Sequence, residues 1–290
     1  MFIPRKLLEE KLMRLFAEDV GQGDVTSAAV IPAGLPAQAI IIAKETGVVA
    51  GIEEVAVLAE TLGLKAKAKV QDGEKVENGQ AIMEISGDAR TLLSAERTML
   101  NLLSRMSGIA TATKKMVEKL RKANLNTRIA ATRKTAPGLS HFDKRAVFIG
   151  GGDTHRLHLD DLILIKDNHA ALAGNVENAV KKAKQNASFT KKIEVEVSNA
   201  TGAVEAAKAG ADIIMLDNLL PKQIMKAVES LKKAGLFGKI ILEASGGING
   251  GNLLDYASTQ VDIISLGELT HSVKALDVSL EIITKPPNKH

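Results

Sequence analysis

The 290-residue chain contains no cysteine, and that one absence excludes disulfides, thiolate catalysis and zinc–sulfur sites together. It fits a reducing cytoplasm, which is the expected location. Aromatic residues make up only 2% of the chain, with no Trp, one Tyr and six Phe, so the core has to be built from Ile, Leu, Val, Ala and Met. Stacking platforms for single-stranded nucleic acid need aromatic faces, and these are too few. Also missing is any uncharged apolar run of transmembrane length. The opening "MFIPRKLLEEKLMRLFAEDV" is charged throughout and lacks the apolar centre of a signal peptide. Neither a membrane nor nucleic acid is therefore an expected partner. The net charge of +4 is mild, and the lysines of "VKKAKQNASFTKK" and "IMKAVESLKKAG" read as solvated helix faces.

What remains is an ordinary globular composition, 45% hydrophobic and 25% charged, long enough for one large domain or two moderate ones. Residues 1–110 read as an α+β domain. "AQAIIIAKETGVVAGIEEV" is a strand entering a helix, and "AKAKVQDGEKVENGQAIMEISG" holds short strands broken by Asp-Gly and Asn-Gly. From Asp88 to about Ala123 a long helical pattern leads into the next unit. Beyond Arg128 the rhythm changes. Apolar runs recur in "RIAATRK", "LILIKDN", "KIEVEVSN", "DIIMLDN", "KIILEASGG" and "VDIISLGE", with helix-period segments between most of them. Alternation of this kind marks parallel βα units. Six visible strands are two short of a closed barrel, so residues 111–270 are expected to form an incomplete (open) parallel α/β barrel. A doubly wound open sheet is the alternative, and both place ligands at the C-terminal strand ends.

Those ends carry Arg133-Lys134, Lys166-Asp167-Asn168, Glu194-x-Glu196, Asp217-Asn218, Ser245-Gly246-Gly247 and Gly267, with His155-Arg156 in the connection "GGGDTHR". Converging on one mouth, these groups would suit a polyanion together with a divalent metal. Lys166 is delivered by four apolar residues to the end of a strand that parallel packing covers on both faces, so it needs a partner or a ligand. Glu194 and Glu196 share one strand face. Pairing with lysines across the barrel would account for them, as would a substrate-bound Mg²⁺ near Glu196 and Asp217. No dedicated metal cage is visible, and no tightly bound cofactor is expected. Ser245–Gly247 and Gly267 offer either tight turns or backbone N–H groups for a phosphate.

The motifs "LSAERTMLNLLSRMSGIAT", "ATRKTAPGL", "GGGDTHR", "LIKDNH", "EVEVSN", "MLDN", "EASGGI" and "DIISLGELTHS", in this order and preceded by "GDVTSAAVIP", resemble the quinolinate phosphoribosyltransferase family. The resemblance spans nearly the whole chain. It implies an N-terminal α/β sandwich, an incomplete barrel, and a C-terminal segment, residues 271–290, that returns to the first domain. The implied substrates are quinolinate and phosphoribosyl pyrophosphate (PRPP), the latter with Mg²⁺. The implied products are nicotinate mononucleotide, pyrophosphate and CO₂, a step of NAD synthesis.

By the same resemblance Arg133, His155, Arg156 and Lys166 would hold quinolinate, and Lys134 would face the pyrophosphate. Glu196 and Asp217 would serve the ribose and Mg²⁺ as catalytic groups. Ser245, Gly246, Gly247, Gly267 and His271 would hold the 5-phosphate. Arg97, mid-helix in "AERTML", would reach quinolinate in a neighbouring subunit, making the chain a homodimer or a higher oligomer. Thr154 stands where the resemblance would put asparagine. Rival readings are a related phosphoribosyltransferase for another pyridine acid and a non-catalytic barrel that binds a phosphorylated metabolite. The three glycines of "GGGDTHR" are then expected to turn the chain so that His155 and Arg156 meet Lys166, leaving the phosphate to later loops.

Overall fold

The computed structural model describes residues 3–283, so the tail "TKPPNKH", which closes the expected 271–290 segment, lies outside the described residues. In chain order the elements begin with helices α1 (Arg5–Val20) and α2 (Val25–Val30), strands β1 (Pro36–Ala43) and β2 (Gly47–Val48), and helix α3 (Ile52–Thr61). Strands β3 (Lys65–Ala68), β4 (Lys75–Val76) and β5 (Ala81–Asp88) lead into helix α4 (Ala89–Lys122). Next come β6 (Arg128–Ala130), α5 (Ser140–Ile149), β7 (Ile163–Ile165), α6 (Asp167–Ala173), α7 (Val176–Asn186) and β8 (Ile193–Val197). The remainder is α8 (Ala200–Ala209), β9 (Ile213–Asp217), α9 (Pro221–Lys233), β10 (Ile241–Ser245), α10 (Leu253–Ala257), β11 (Ile263–Ser265), α11 (Glu268–His271) and β12 (Val278–Ile282).

The chain divides into two units. One takes the described residues up to Ala112, Phe148–Gly150 and those from Val273 on; the other takes Thr113–Val147 and Gly151–Ser272. In the first unit an antiparallel sheet runs β12-β1-β5-β3, with Ile41 paired to Leu280 on one side and to Met83 on the other. From Ala39 on, strand β1 alternates buried and half-buried positions, and its buried Ala39, Ile41 and Ala43 supply the sheet's covered face. The C-terminal segment is tied to α4 before it pairs: the Leu276 amide donates to the Ser104 carbonyl at 3.0 Å.

The second unit holds a six-stranded parallel sheet in the order β6-β11-β10-β9-β8-β7. These are the six apolar runs read in the sequence. The sheet is an open α/β barrel, because β6 and β7 end it without pairing to each other. Helices lie between the strands in chain order, and all of them but α6 bury side chains. In α9 the buried stripe is Ile224, Ala227, Val228 and Leu231, and Pro221 at its first turn costs no helical hydrogen bond. Asn199 caps α8 by accepting from the Gly202 amide at 2.8 Å, and left-handed Gly210 ends it.

The segment after α5 is the one that brings new side chains to the open edge. Gly151 takes φ +88, and a Cβ on Gly152 would lie 2.8 Å from Val147 Cγ1, so both positions require glycine. Asp153 then bridges to Ala130 of β6 in parallel register, its amide donating to the Ile129 carbonyl at 2.7 Å.

Gly108 tests the docking of the C-terminal segment within the first unit. An alanine Cβ there would overlap the Lys274 carbonyl oxygen and sit 3.0 Å from Ala275 Cα, and backbone atoms cannot swing aside. Gly108→Ala is expected to cost about 1–3 kcal/mol, read as a lowered midpoint in thermal unfolding; an unchanged midpoint would show that the segment does not hold this contact.

Candidate active site

Parallel register decides which side chains share the barrel interior. Glu196 pairs with Met215, and Met215 with Glu243, so these three form one level. One level higher, Asp217 pairs with Ser245 and Ser245 with Ser265. Residues two apart along a strand face the same side, so Glu194, Glu196, Met215, Asp217, Glu243, Ser245 and Ser265 all point inward. Above them opens a cavity of about 300 Å³ whose wall includes Glu196, Asp217, Glu243, Ser245 and Ser265.

The loops add the cations. Arg133 and Lys134 follow β6, His155 and Arg156 come from the segment bridged to β6, and Lys166 follows β7; all five line this cavity. Lys166 Nζ donates to Glu196 Oε2 at 2.8 Å, a pair between the ends of the neighbouring strands β7 and β8 rather than one across the barrel. A second hollow of about 560 Å³ shares Glu196 and Asp217 with the first and extends past Asn199, Thr201 and Glu205.

The charges are not balanced within the cavity. The Arg156 guanidinium is pushed below its usual range by burial and by the charge of Arg133. Burial, then the neighbouring Glu196 charge, raise the Asp217 carboxyl, against a 2.6 Å hydrogen bond from Asn218 Nδ2. A dianion between the two arginines and a cation between the two carboxylates would each relieve a stated repulsion. Glu196 and Asp217 are oxygen donors, the kind Mg²⁺ prefers, and the site they offer is open rather than caged.

Beneath the cavity lies a buried cluster. His155 Nε2 is 3.1 Å from Glu243 Oε2 and 3.5 Å from Glu194 Oε2, and Ser265 Oγ donates to Glu243 Oε1 at 2.6 Å. Burial alone would lower the imidazole, but the two carboxylates overcome it and raise His155 to about 10. Glu194 is raised chiefly by its burial. The imidazole nitrogen and the two carboxylates lie within 4.8 Å of one another, a spacing that could also hold a metal ion. The 3.1 Å separation of Nε2 and Oε2 is that of a proton-bridged contact, and an all-oxygen set suits Mg²⁺ better.

Sequence reasoning passed over Glu243 and Lys144. Glu243 interrupts the apolar run of "KIILEASGG" as Glu194 interrupts "KIEVEVSN", so the same signal was available. Lys144 gave no signal, sitting mid-helix in α5. It is buried, and its Nζ donates to the carbonyls of Thr154 at 2.5 Å and Arg156 at 2.9 Å, clamping the segment that carries the cations. Of the expected phosphate group, Ser245 lines the cavity; Gly246, Gly247, Gly267 and His271 are not part of its wall. Gly246 and Gly247 take φ +92 and +65, and a Cβ on Gly267 would touch His271 Nε2 at 2.8 Å and Lys134 Cδ at 3.1 Å. Arg97 is an exposed residue of α4 in the first unit and does not line the cavity.

Fold and cavity together define an open α/β barrel whose mouth is lined by five basic side chains. The chain belongs to the quinolinate phosphoribosyl transferase family, whose N-terminal domain matches residues 24–107 and whose C-terminal domain matches residues 109–281. A Methanocaldococcus jannaschii protein named probable nicotinate-nucleotide pyrophosphorylase (carboxylating) is 51% identical over 268 residues, 91% of this chain and 93% of its own. The human nicotinate-nucleotide pyrophosphorylase (carboxylating) is 40% identical over 258 residues, 89% of this chain and 86% of its own. The crystal structure of NadC from Streptococcus pyogenes superposes with a TM-score of 0.88 at 35% identity, over 98% of this chain and all of that one.

Lys144 supplies a pH test of the clamp. Burial, then Arg156 and Arg133, lower its ammonium from 10.5 to about 8. Between those values the unfolded chain keeps a proton that the native lysine has released, so this group makes the native state more stable as pH rises. Arginine at this position stays charged. The stability gap between the wild type and Lys144→Arg should therefore widen from pH 8 to 10.5, by at most about 1.4 kcal/mol per pH unit. Chemical denaturation across that range measures it, and a constant gap would mean that Lys144 does not titrate there.

Proposed function

We infer that the chain transfers the phosphoribosyl group of PRPP to quinolinate with loss of CO₂, the reaction its family is named for. The ring nitrogen of quinolinate bonds to C1 of the ribose, and the bond from C1 to pyrophosphate breaks with its electrons going to the pyrophosphate. The carboxylate at ring position 2 then leaves as CO₂, its bonding electrons accepted by the quaternised ring, and a proton takes its place. Nicotinate mononucleotide and pyrophosphate remain. The observation that carries the reading is the cavity wall of Arg133, Lys134, Arg156 and Lys166 facing Glu196 and Asp217, in a chain of this family.

Charge assigns the roles. Quinolinate is a dianion, and Arg133 and Arg156, which repel each other when alone, hold its carboxylates, with Lys166 beside them. Glu196 and Asp217 stabilise the positive charge that grows at C1 as pyrophosphate departs, and they would hold Mg²⁺ brought by PRPP, which supplies charge neutralisation on the leaving group. Lys134 faces the pyrophosphate. Ser245, Gly246 and Gly247 receive the 5-phosphate together with Gly267 and His271, because consecutive left-handed glycines turn their N–H groups toward one concavity. Positioning and electrostatics suffice, and no covalent nucleophile is required. Arg97, exposed on α4, completes the quinolinate pocket of a second copy in a homodimer. The absence of cysteine is in keeping with a cytoplasmic site of action, and among the described residues no helix is long and apolar enough to cross a membrane.

The test is turnover of quinolinate, PRPP and Mg²⁺ followed as CO₂ and nicotinate mononucleotide; turnover with nicotinate but not quinolinate would overturn the reading. Arg156→Ala should raise the KM for quinolinate by about 10- to 100-fold, the worth of one charged hydrogen bond, while leaving that for PRPP nearly unchanged. Equal losses would remove Arg156 from the carboxylate clamp. For the shared site, mixing Arg97→Ala with Lys166→Ala, each inactive alone, should restore part of the activity, and failure to do so would place Arg97 outside any shared site.

A further inference from the structure

The loop that follows β10, residues 246–252 ("GGINGGN"), has four glycines in seven residues. Glycine lets a backbone come close to an anion, but it loses more conformational freedom on ordering than any other residue. A loop of this composition needs ties to keep one shape. Within it, the Asn249 N–H donates to Asn252 Oδ1 at 2.8 Å, the Gly251 N–H to Asn249 Oδ1 at 2.8 Å, and Asn252 Nδ2 to the Gly247 carbonyl at 3.1 Å. These bonds shape the loop without fixing it to the barrel. Two ties do reach outside, and both fall on Gly250. Its N–H donates to Glu268 Oε1 at 2.9 Å, and its carbonyl accepts from Lys119 Nζ at 2.5 Å. Glu268 opens α11 directly after Gly267, and Lys119 lies near the end of α4, within the same unit as the loop. Gly247, three residues earlier, lines open space: a Cβ there would meet no atom within 4 Å.

We propose that Glu268 and Lys119 are positioning residues that grip Gly250 by its two backbone polar groups and so hold the Gly246–Gly247 backbone ready for the 5-phosphate of PRPP. The effect on PRPP rests on the reading that this loop and Gly267 receive that phosphate; the grip on the loop does not. Because Glu268 is the neighbour of Gly267, its bond to Gly250 also ties the loop after β10 to the loop after β11, and the two parts of the phosphate site keep one spacing. The charges suit the task. A carboxylate meets the partly positive N–H and an ammonium the partly negative carbonyl, and such charge-assisted bonds are stronger than amide–carbonyl ones. Their strength offsets the freedom that the glycines lose. Packing does not dictate glycine at 250, since a Cβ there would make only an ordinary 3.8 Å contact with Met116 Cε. What the fold uses at that position is the backbone. Neither Glu268 nor Lys119 is part of the cavity wall, so both act through the loop and not on the reacting atoms.

Hydrogen–deuterium exchange of the ligand-free, full-length protein tests the grip. Glu268→Ala should speed amide exchange across residues 246–252 by about three- to tenfold, the worth of one hydrogen bond, and unchanged exchange there would overturn the proposal. Glu268→Gln keeps an oxygen that can accept from Gly250 and should retain most of the protection; a loss as large as that of Glu268→Ala would rule out this bond. Lys119→Met keeps the aliphatic stem without the donor and should loosen the same loop, and it carries the test alone if Glu268→Ala does not fold. Steady-state kinetics read the consequence. In Glu268→Ala and Lys119→Met the KM for PRPP should rise about three- to tenfold, with the KM for quinolinate nearly unmoved and Glu268→Gln close to the wild type. Equal rises for both substrates would reduce the two residues to general stability. A PRPP effect without faster loop exchange would mean direct contact with the ligand, and would equally sink the positioning role. Calorimetric titration with ribose 5-phosphate separates this from the functional reading. A wild type that turns over no quinolinate, yet binds ribose 5-phosphate more tightly than Glu268→Ala does, would defeat that reading and uphold the proposal. A wild type that does not bind ribose 5-phosphate would overturn the phosphate role.

Discussion

Everything at this site follows from carboxylates carried on the inner face of a parallel sheet. Parallel register places Glu196 and Glu243 at one level with Met215 between them, and strand alternation puts Glu194 on the same face. Glu194 and Glu243 are buried to 0% and 1% exposure. An ionised carboxylate without compensation is far too costly there. The fold compensates by bringing cations from loops outside the strands: Lys166 to Glu196, His155 to Glu194 and Glu243. The mouth of the barrel is thus cationic because its floor is acidic. With more cationic groups than these pairs use, Arg133 and Arg156 are left to repel each other, and that surplus suits the site to an anion.

The same arrangement explains what the sequence makes legible. Six apolar runs ending in polar residues state the parallel sheet, because strands covered on both faces have no other reason to be so uniformly apolar. The cations gathered at those ends state the mouth, and Arg133, Lys134, His155, Arg156 and Lys166 do line one cavity. Less visible is anything that depends on direction within a residue. Sequence puts His155 among the cations, but only coordinates show the two carboxylates that it faces. Lys144 lies in a helix with no pattern to mark it, since its burial is fixed by the segment it clamps. No linker of glycine, proline or serine marks the division between the units, because α4 runs through it unbroken.

Position 154 contributes to the segment through its backbone. Thr154 offers its carbonyl to Lys144, and its hydroxyl reaches only the neighbouring His155 carbonyl at 3.0 Å. The contact that holds the segment is made by backbone, which any residue supplies. Glycine at 152 has no such latitude, being wedged against Val147 and Thr113. The glycine is fixed by sterics, while the threonine is used mainly through its carbonyl.

Surplus charge also bears on the choice of acid. A monocarboxylate in this cavity would neutralise one arginine and leave the other with the repulsion that already lowers the Arg156 guanidinium. A dianion would remove both halves of that cost together, so on the proposed reading discrimination would come from the protein's own like charges. It holds only while Arg156 points at the ligand and not into solvent, where its charge would be screened. The backbone of Arg156 is restrained by His155 on one side and Lys144 on the other, which would keep its guanidinium on the cavity side.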